Sequence, residues 1–153
     1  MLVRSDRYKE VSMSNARSSP ADPANGYRFS RQQLIRVVAV GLSVWFAGAL
    51  LLRWLGPIGV YDGAARIVLY ALIIPGTLPI ILLLPVLAGI KRSQIAAAAA
   101  FATATAILMD GLALAWLPGL YGETIAQHAG AGAAILWGGA VAIFLGFFLN
   151  RDQ

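Results

Sequence analysis

The sequence predicts an all-α, polytopic membrane protein: a four-transmembrane-helix bundle whose second helix is kinked. Of its 153 residues, 59% are hydrophobic and 12% are charged, and the mean hydropathy is +0.72. A soluble domain is about 45–50% apolar and about 25% charged, so a water-soluble monomer is excluded. Four apolar stretches each reach the roughly 20 residues that cross a bilayer core. They lack the alternation of apolar and polar residues that is typical of barrel strands.

The region before these stretches, residues 1–33, has a different composition. It mixes Arg, Ser, Pro, Asn and Asp with few aliphatic residues and shows no sustained period, which predicts a disordered basic tail. The transmembrane domain then covers residues 34–150. The tail shows no recognised nucleic-acid-binding fold, and we expect its arginines to contact anionic lipid instead. The sequence therefore predicts the lipid bilayer, and no nucleic acid, as a partner.

The first two predicted helices span about 34–55 and 64–90, joined by a linker of Gly and Pro residues that favours a turn. The second helix contains interruptions, and we expect a kink there because each proline removes a backbone donor. A discontinuous helix that builds a transporter site from freed carbonyls is the alternative. The kink is favoured because no second interrupted helix matches this one. The residues that define the kink are Pro75, Gly76, Pro79 and Pro85.

The third and fourth predicted helices span about 93–117 and 124–149. The fourth carries small residues at every fourth position, a spacing that lets helix backbones approach closely in lipid. This stripe predicts tight packing, either within the chain or between copies of it. Its members are Gly130, Ala134, Gly138, Ala142 and Gly146.

The distribution of basic residues predicts the orientation in the membrane. Most of the basic residues that flank the helices lie on the side that holds both termini, which the positive-inside rule assigns to the cytoplasm. The net charge of +5 is therefore mainly a topology signal. Aromatic residues near the opposite side predict an interfacial belt. The belt residues are Trp54, Tyr61, Trp116 and Tyr121.

Asp110 is the principal candidate for a functional site. It lies in the third helix about seven residues from the outer end, which is roughly 10 Å below the interface at 1.5 Å per residue. A carboxylate there costs about 1–3 kcal/mol unless it is paired or protonated. Arg53, Arg66 and His128 come from the other three helices at the same side. One interpretation is an ion pair of Asp110 with Arg53 or Arg66 that locks the bundle. The other is a protonatable or substrate-binding cluster.

The chain has few of the residue types that catalysis and metal binding require. The chain has no cysteine and one histidine, which excludes thiolate catalysis and a multi-histidine metal site within one chain. No phosphate loop, GxSxG or HExxH motif is present. We therefore expect no metal and no enzymatic activity. No cofactor is expected either, although His128 leaves a minor prospect of haem ligation or quinone contact.

Landmark residues occur in all four predicted helices. They are Trp45, Arg53 and Gly56 in the first helix, the prolines of the second, Met109–Asp110 in the third and Trp137–Gly138 in the fourth. On these residues, the segment from Gly41 to Phe148 resembles a bacterial family of small four-helix inner-membrane proteins of unknown function. The resemblance implies a bacterial inner membrane and suggests that Arg53 and Asp110 belong together.

Two functions follow as predictions. The first is a non-enzymatic integral membrane protein that serves as an accessory or structural subunit of a larger membrane assembly, or associates with itself. The alternative is a small proton-coupled transporter or ion-conducting dimer that uses Asp110 as its protonatable group. Four helices from one chain rarely enclose a pathway, so the alternative requires a dimer.

Overall fold

The computed structural model describes residues 28–150, and within that range it contains four long helices and no strand. Each helix is long and apolar enough to cross a membrane, which confirms the predicted fold class. The predicted tail lies outside the described residues as far as residue 27, and its last three residues are helical. The helices are α1 (Arg31–Leu55), α2 (Gly63–Ala88), α3 (Ile95–Trp116) and α4 (Ile125–Leu149).

Two of the helices begin with reciprocal capping boxes. At the start of α1, the Ser30 hydroxyl accepts a hydrogen bond from the Gln33 amide, and the Gln33 side chain accepts one from the Ser30 amide. Thr124 and Gln127 form the same arrangement at the start of α4. A Ser or Thr followed three residues later by Gln satisfies two backbone donors that a helix start leaves free. This is why α1 begins at Arg31 and not at residue 34.

The four helices form a ring in the order α1, α3, α4, α2. Helix α3 packs closely against α1 and α4, whereas α2 packs against α4 and less closely against α1. Helices α2 and α3 therefore lie across the bundle from each other. Their short connection, Gly89–Gln94, crosses one end of the bundle.

We call the end of the bundle that contains Phe29, the Gly89–Gln94 connection and Asn150 the basic end. Side-chain amides join its elements: Gln33 Nε2 donates to the Gly89 carbonyl at 2.7 Å, and Gln94 Nε2 donates to the Arg28 carbonyl at 2.9 Å. The opposite end, with the connections 56–62 and 117–124, is called the loop end. Among residues 28–150, the basic end holds five basic residues and no acidic one.

Glycines permit the close approach of α3 to its two neighbours. A Cβ atom placed on Gly41 of α1 would lie 2.6 Å from the carbonyl oxygen of Ala102 in α3. A Cβ atom on Gly146 of α4 would lie 2.6 Å from the Cβ atom of Ala99. Real Cβ atoms do not come this close to other atoms, so the helix axes can be this near only where the side chain is missing.

The small-residue stripe of α4 packs within the chain. Gly130 contacts the Tyr61 ring, Gly138 lies beside Ile73 of α2, and Gly146 meets α3. Ala134 is buried, and Ala142 packs against the apolar core near the basic end. The alternative, packing between copies of the chain, is not needed to explain the stripe.

Helix α2 runs as one continuous α-helix through Pro75, Pro79 and Pro85. The discontinuous helix considered as an alternative is therefore not formed, and the kink around Gly76 stays a prediction. Near the first proline, Trp137 Nε1 of α4 donates to the Tyr70 carbonyl at 3.0 Å, and the two rings stack with centroids 5.5 Å apart. This contact fastens α2 to α4.

Replacing Gly41 with alanine is expected to lower the free energy of unfolding by about 1–3 kcal/mol, because the added methyl group forces α1 away from the α3 backbone. Thermal unfolding in detergent micelles measures the loss. The matched control is Gly111→Ala in α3, where an added Cβ meets nothing within 4 Å. If both variants unfold at the same temperature, the close contact between α1 and α3 is wrong.

Candidate functional site

A chain of hydrogen bonds connects three elements near the loop end. Asp110 of α3 is 7% exposed, and Tyr121, in the connection between α3 and α4, is fully buried. Tyr121 Oη donates to Asp110 Oδ1 at 2.5 Å. Trp45 Nε1 of α1 in turn donates to Tyr121 Oη at 3.2 Å. The carboxyl group is thus the final acceptor of a chain in which each donor points toward it.

The phenol of Tyr121 is held in its donating form. Burial, and secondly the hydrogen bond to Asp110, raise the pKa of Tyr121 above its ordinary value. The phenol therefore stays protonated at neutral pH. Tyr121 is thus a neutral donor to the carboxyl oxygen of Asp110.

The predicted ion pair of Asp110 with Arg53 or Arg66 is wrong. The Arg53 guanidinium donates to the Gly119 carbonyl in the connection after α3, and it borders a surface depression with Glu123. Arg66 lies in a separate shallow depression on the outside of α2. The physical reason is position: both arginines are exposed at the loop end, where their charged groups stay near water or bind backbone oxygens.

His128 has a local role at the start of α4. Its half-buried ring lies with Nε2 3.1 Å from the Gly122 carbonyl, a contact in which the ring nitrogen donates. This bond steadies the turn before the helix. In residues 28–150, no group of three or more His, Asp or Glu side chains is placed to hold a metal ion. The structure therefore does not bring His128, Arg53 and Arg66 together with Asp110.

All four helices border a cavity of about 230 Å³ inside the bundle. Its wall is apolar apart from Asp110 and two threonines, Thr77 and Thr103. Along α3, the lining residues extend from Ala99 to Asp110, which is about 16 Å of helix. The cavity is therefore elongated along the helix axes, with the carboxyl group toward the loop end.

The cavity is partly open at the side of the bundle. Two of its lining residues, Val44 and Leu51, are 36% and 53% exposed, and both belong to α1. Because α1 and α2 pack less closely than α1 and α3, we place the opening between α1 and α2.

Of the four residues predicted to form an interfacial aromatic belt, two are exposed and two are buried. Trp54 and Trp116 are 72% and 73% exposed at the loop end. Tyr61 and Tyr121 are buried instead, and Tyr61 Oη donates to the Leu52 carbonyl at 3.0 Å. Both tyrosines lie in connections that fold back over the helix ends, so their rings enter the bundle where a belt residue would face lipid headgroups.

Sequence reasoning did not identify Tyr121 and Trp45 as partners of Asp110. One feature of the sequence indicated that Asp110 has a partner. An isolated carboxylate in hydrocarbon is costly, so a hydrogen-bond donor is expected nearby. Arginine was the obvious donor by charge, but a tyrosine in a short connection reaches the site at lower desolvation cost.

No family model, no curated protein and no solved structure matches this chain. The resemblance to small four-helix inner-membrane proteins stays a prediction.

Replacing Tyr121 with phenylalanine is expected to destabilise the protein by about 1–3 kcal/mol, because the buried carboxyl group loses its donor. In a double-mutant cycle with Asp110→Leu, we expect the two losses of unfolding free energy to be far from additive. Tyr121→Phe leaves the Asp110 carboxyl group without its donor, and Asp110→Leu removes that carboxyl group. Thermal unfolding measures all four proteins. Tyr70→Phe is the control, because the Tyr70 contact with Trp137 uses the ring.

The same cycle run with Arg53→Gln in place of Tyr121→Phe is expected to be additive within about 0.5 kcal/mol. Arg53 binds the Gly119 carbonyl and not Asp110. Coupling as strong as that of Tyr121 would restore the ion pair and contradict the observed network.

Proposed function

We propose that this integral membrane protein is not an enzyme and binds a hydrophobic small molecule, taken from the bilayer, inside its four-helix bundle. The single observation that carries the proposal is the cavity of about 230 Å³ with a buried carboxyl group in its wall. Ligand sites in proteins are largely apolar concavities with a few placed polar groups that fix orientation. The cavity has this composition.

The size of the cavity favours an occupant. The wall atoms of the cavity, about 230 Å³ in volume, lack van der Waals partners on the side of the open space. A molecule that fills the cavity restores those contacts.

The site is also placed to draw its ligand from the membrane. Its exposed lining residues lie on α1, among apolar side chains that face the lipid. Hydrophobic molecules concentrate in the bilayer because their transfer out of water is favourable. The concentration of such molecules around the protein would therefore be high, and a modest intrinsic affinity would be enough to occupy the cavity.

An accessory role in a larger membrane assembly is compatible with this proposal. The connections between the helices are short, and the loop end offers exposed Trp54 and Trp116 for contacts in the plane of the membrane. Self-association has less support, because the stripe on α4 is used within the chain.

Transport is the second candidate, and the observation that favours it is the position of Asp110 in the cavity wall. A carboxyl group that faces a ligand cavity can exchange a proton for a ligand. Helix α2 packs less closely against α1 than α3 does. Helix α2 is therefore the part whose movement would open the site. A second copy of the chain would still be needed to complete a pathway.

For the orientation, we propose that the basic end faces the cytoplasm of a bacterial cell, at the inner membrane. The five basic residues of that end, against two arginines and three acidic residues in the rest of residues 28–150, support this assignment. Both ends of the chain would then be cytoplasmic.

Filling the cavity with Gly48→Leu is expected to abolish the binding of fluorobenzene, a small neutral probe followed by ¹⁹F NMR on protein in lipid nanodiscs. Gly48 lines the cavity, and a Cβ there meets nothing within 4 Å, so the leucine enters the open space. Apolar cavities of about 150 Å³ bind benzene. We therefore expect a bound-state signal from the unmodified protein.

Gly111→Leu is the matched control for that experiment. Gly111 is also a helical glycine, it is exposed, and an added Cβ there meets nothing within 4 Å. Unlike Gly48, it does not line the cavity. Its bound signal should equal that of the unmodified protein. A signal that persists in Gly48→Leu, or one absent from all three proteins, would disprove ligand binding in this cavity.

A further inference from the structure

We propose that the ligand of this cavity is a lipophilic amine, whose ammonium group pairs with Asp110 and whose apolar body fills the space toward Ala99. The inference rests on the proposed function and specifies the chemical class of the ligand. It follows from the direction of the hydrogen bonds, the positions of the basic side chains and the dimensions of the cavity.

The hydrogen bonds to Asp110 come from neutral groups, and none of them comes from a cation. Trp45 donates to Tyr121, and Tyr121 donates to Asp110, so both neutral groups act as donors toward the carboxyl oxygens. Neutral donors reduce the cost of burying a carboxylate but do not neutralise its charge. A cation placed in the adjacent cavity would do so.

The basic side chains at the loop end do not supply that cation. Arg53 binds the Gly119 carbonyl, Arg66 lies on the outside of α2, and His128 contacts the Gly122 carbonyl. The five basic residues of the basic end are near the opposite ends of the helices. A cation that pairs with Asp110 would therefore come with the ligand.

A metal ion does not fit the cavity. Hard cations such as Ca²⁺ or Mg²⁺ take six or more oxygen ligands, whereas the wall offers Asp110 and two threonines, one of which, Thr77, already donates to the Ile73 carbonyl. An organic ammonium group needs only a few acceptors and carries its own apolar body. That body can replace the missing contacts along the remaining wall.

The dimensions limit the ligand. If about 150 Å³ holds benzene, with its six carbon atoms, then the cavity of about 230 Å³ holds about nine non-hydrogen atoms. The elongated shape, about 16 Å along α3, suits a linear chain. Octylamine meets both conditions and is the probe for the test.

The test is displacement of bound fluorobenzene, observed by ¹⁹F NMR in nanodiscs of zwitterionic lipid. We compare octylamine with 1-octanol and octanoate, which share the chain length and differ in the head group. In the unmodified protein, octylamine is expected to displace the probe at a concentration at least tenfold lower than 1-octanol, with octanoate the weakest. In Asp110→Asn, the ratio between octylamine and 1-octanol is expected to fall close to one.

The outcomes separate the two proposals. If fluorobenzene binds but octylamine and 1-octanol displace it equally well from the unmodified protein, the amine class is wrong and ligand binding in the cavity stands. If Asp110→Asn retains the preference for octylamine, Asp110 is not the partner. If fluorobenzene does not bind at all, the proposed function fails. Should Asp110→Asn not fold, the ranking of the three probes on the unmodified protein still decides.

Discussion

The hydrogen bond from Tyr121 to Asp110 is the interaction on which the loop end of the bundle depends. In hydrocarbon, a carboxyl group without a donor costs several kcal/mol, and this bond supplies the donor from a connection outside the spans. It draws the α3–α4 connection into the bundle and, through Trp45, joins it to α1. In the same connection, the Gly119 carbonyl accepts a hydrogen bond from Arg53. These hydrogen bonds therefore join α1 and α3 to the connection between α3 and α4. Asp110 also forms the polar part of the cavity wall.

The cavity follows from unequal packing of the helices. Small residues allow α3 to approach α1 and α4 closely, as the tight surroundings of Gly41 and Gly146 demonstrate. On the opposite side, α2 offers branched and bulky side chains such as Ile73 and Ile81 toward the interior. Helix α2 packs less closely against α1 than α3 does, and the cavity lies between the four helices. One set of contacts therefore stabilises the bundle while the other leaves room for a ligand.

The sequence predicts the helices well because twenty apolar residues with short, turn-forming linkers have few alternatives in a membrane. It also identifies Asp110 as the residue of interest, since its cost in lipid is independent of the fold. It does not predict the partner of Asp110. The burial of Tyr121 depends on how the eight-residue connection 117–124 folds back over the helix ends, and helix periodicity carries no information about such a path. The cavity is likewise a result of interhelical distances, which no single helix encodes.

The position of Arg53 explains why the charge of Asp110 is left for another partner. If the guanidinium turned inward to the carboxylate, it would leave the Gly119 carbonyl without its donor and would lose its own hydration. The attraction between the two charges repays such costs only when geometry is very good and all remaining donors are bonded. In the apolar cavity, a guanidinium with five N–H donors cannot meet that condition, whereas a primary ammonium with three donors requires fewer acceptors. The chain therefore satisfies its own backbone with arginine and keeps the buried carboxylate accessible from the cavity.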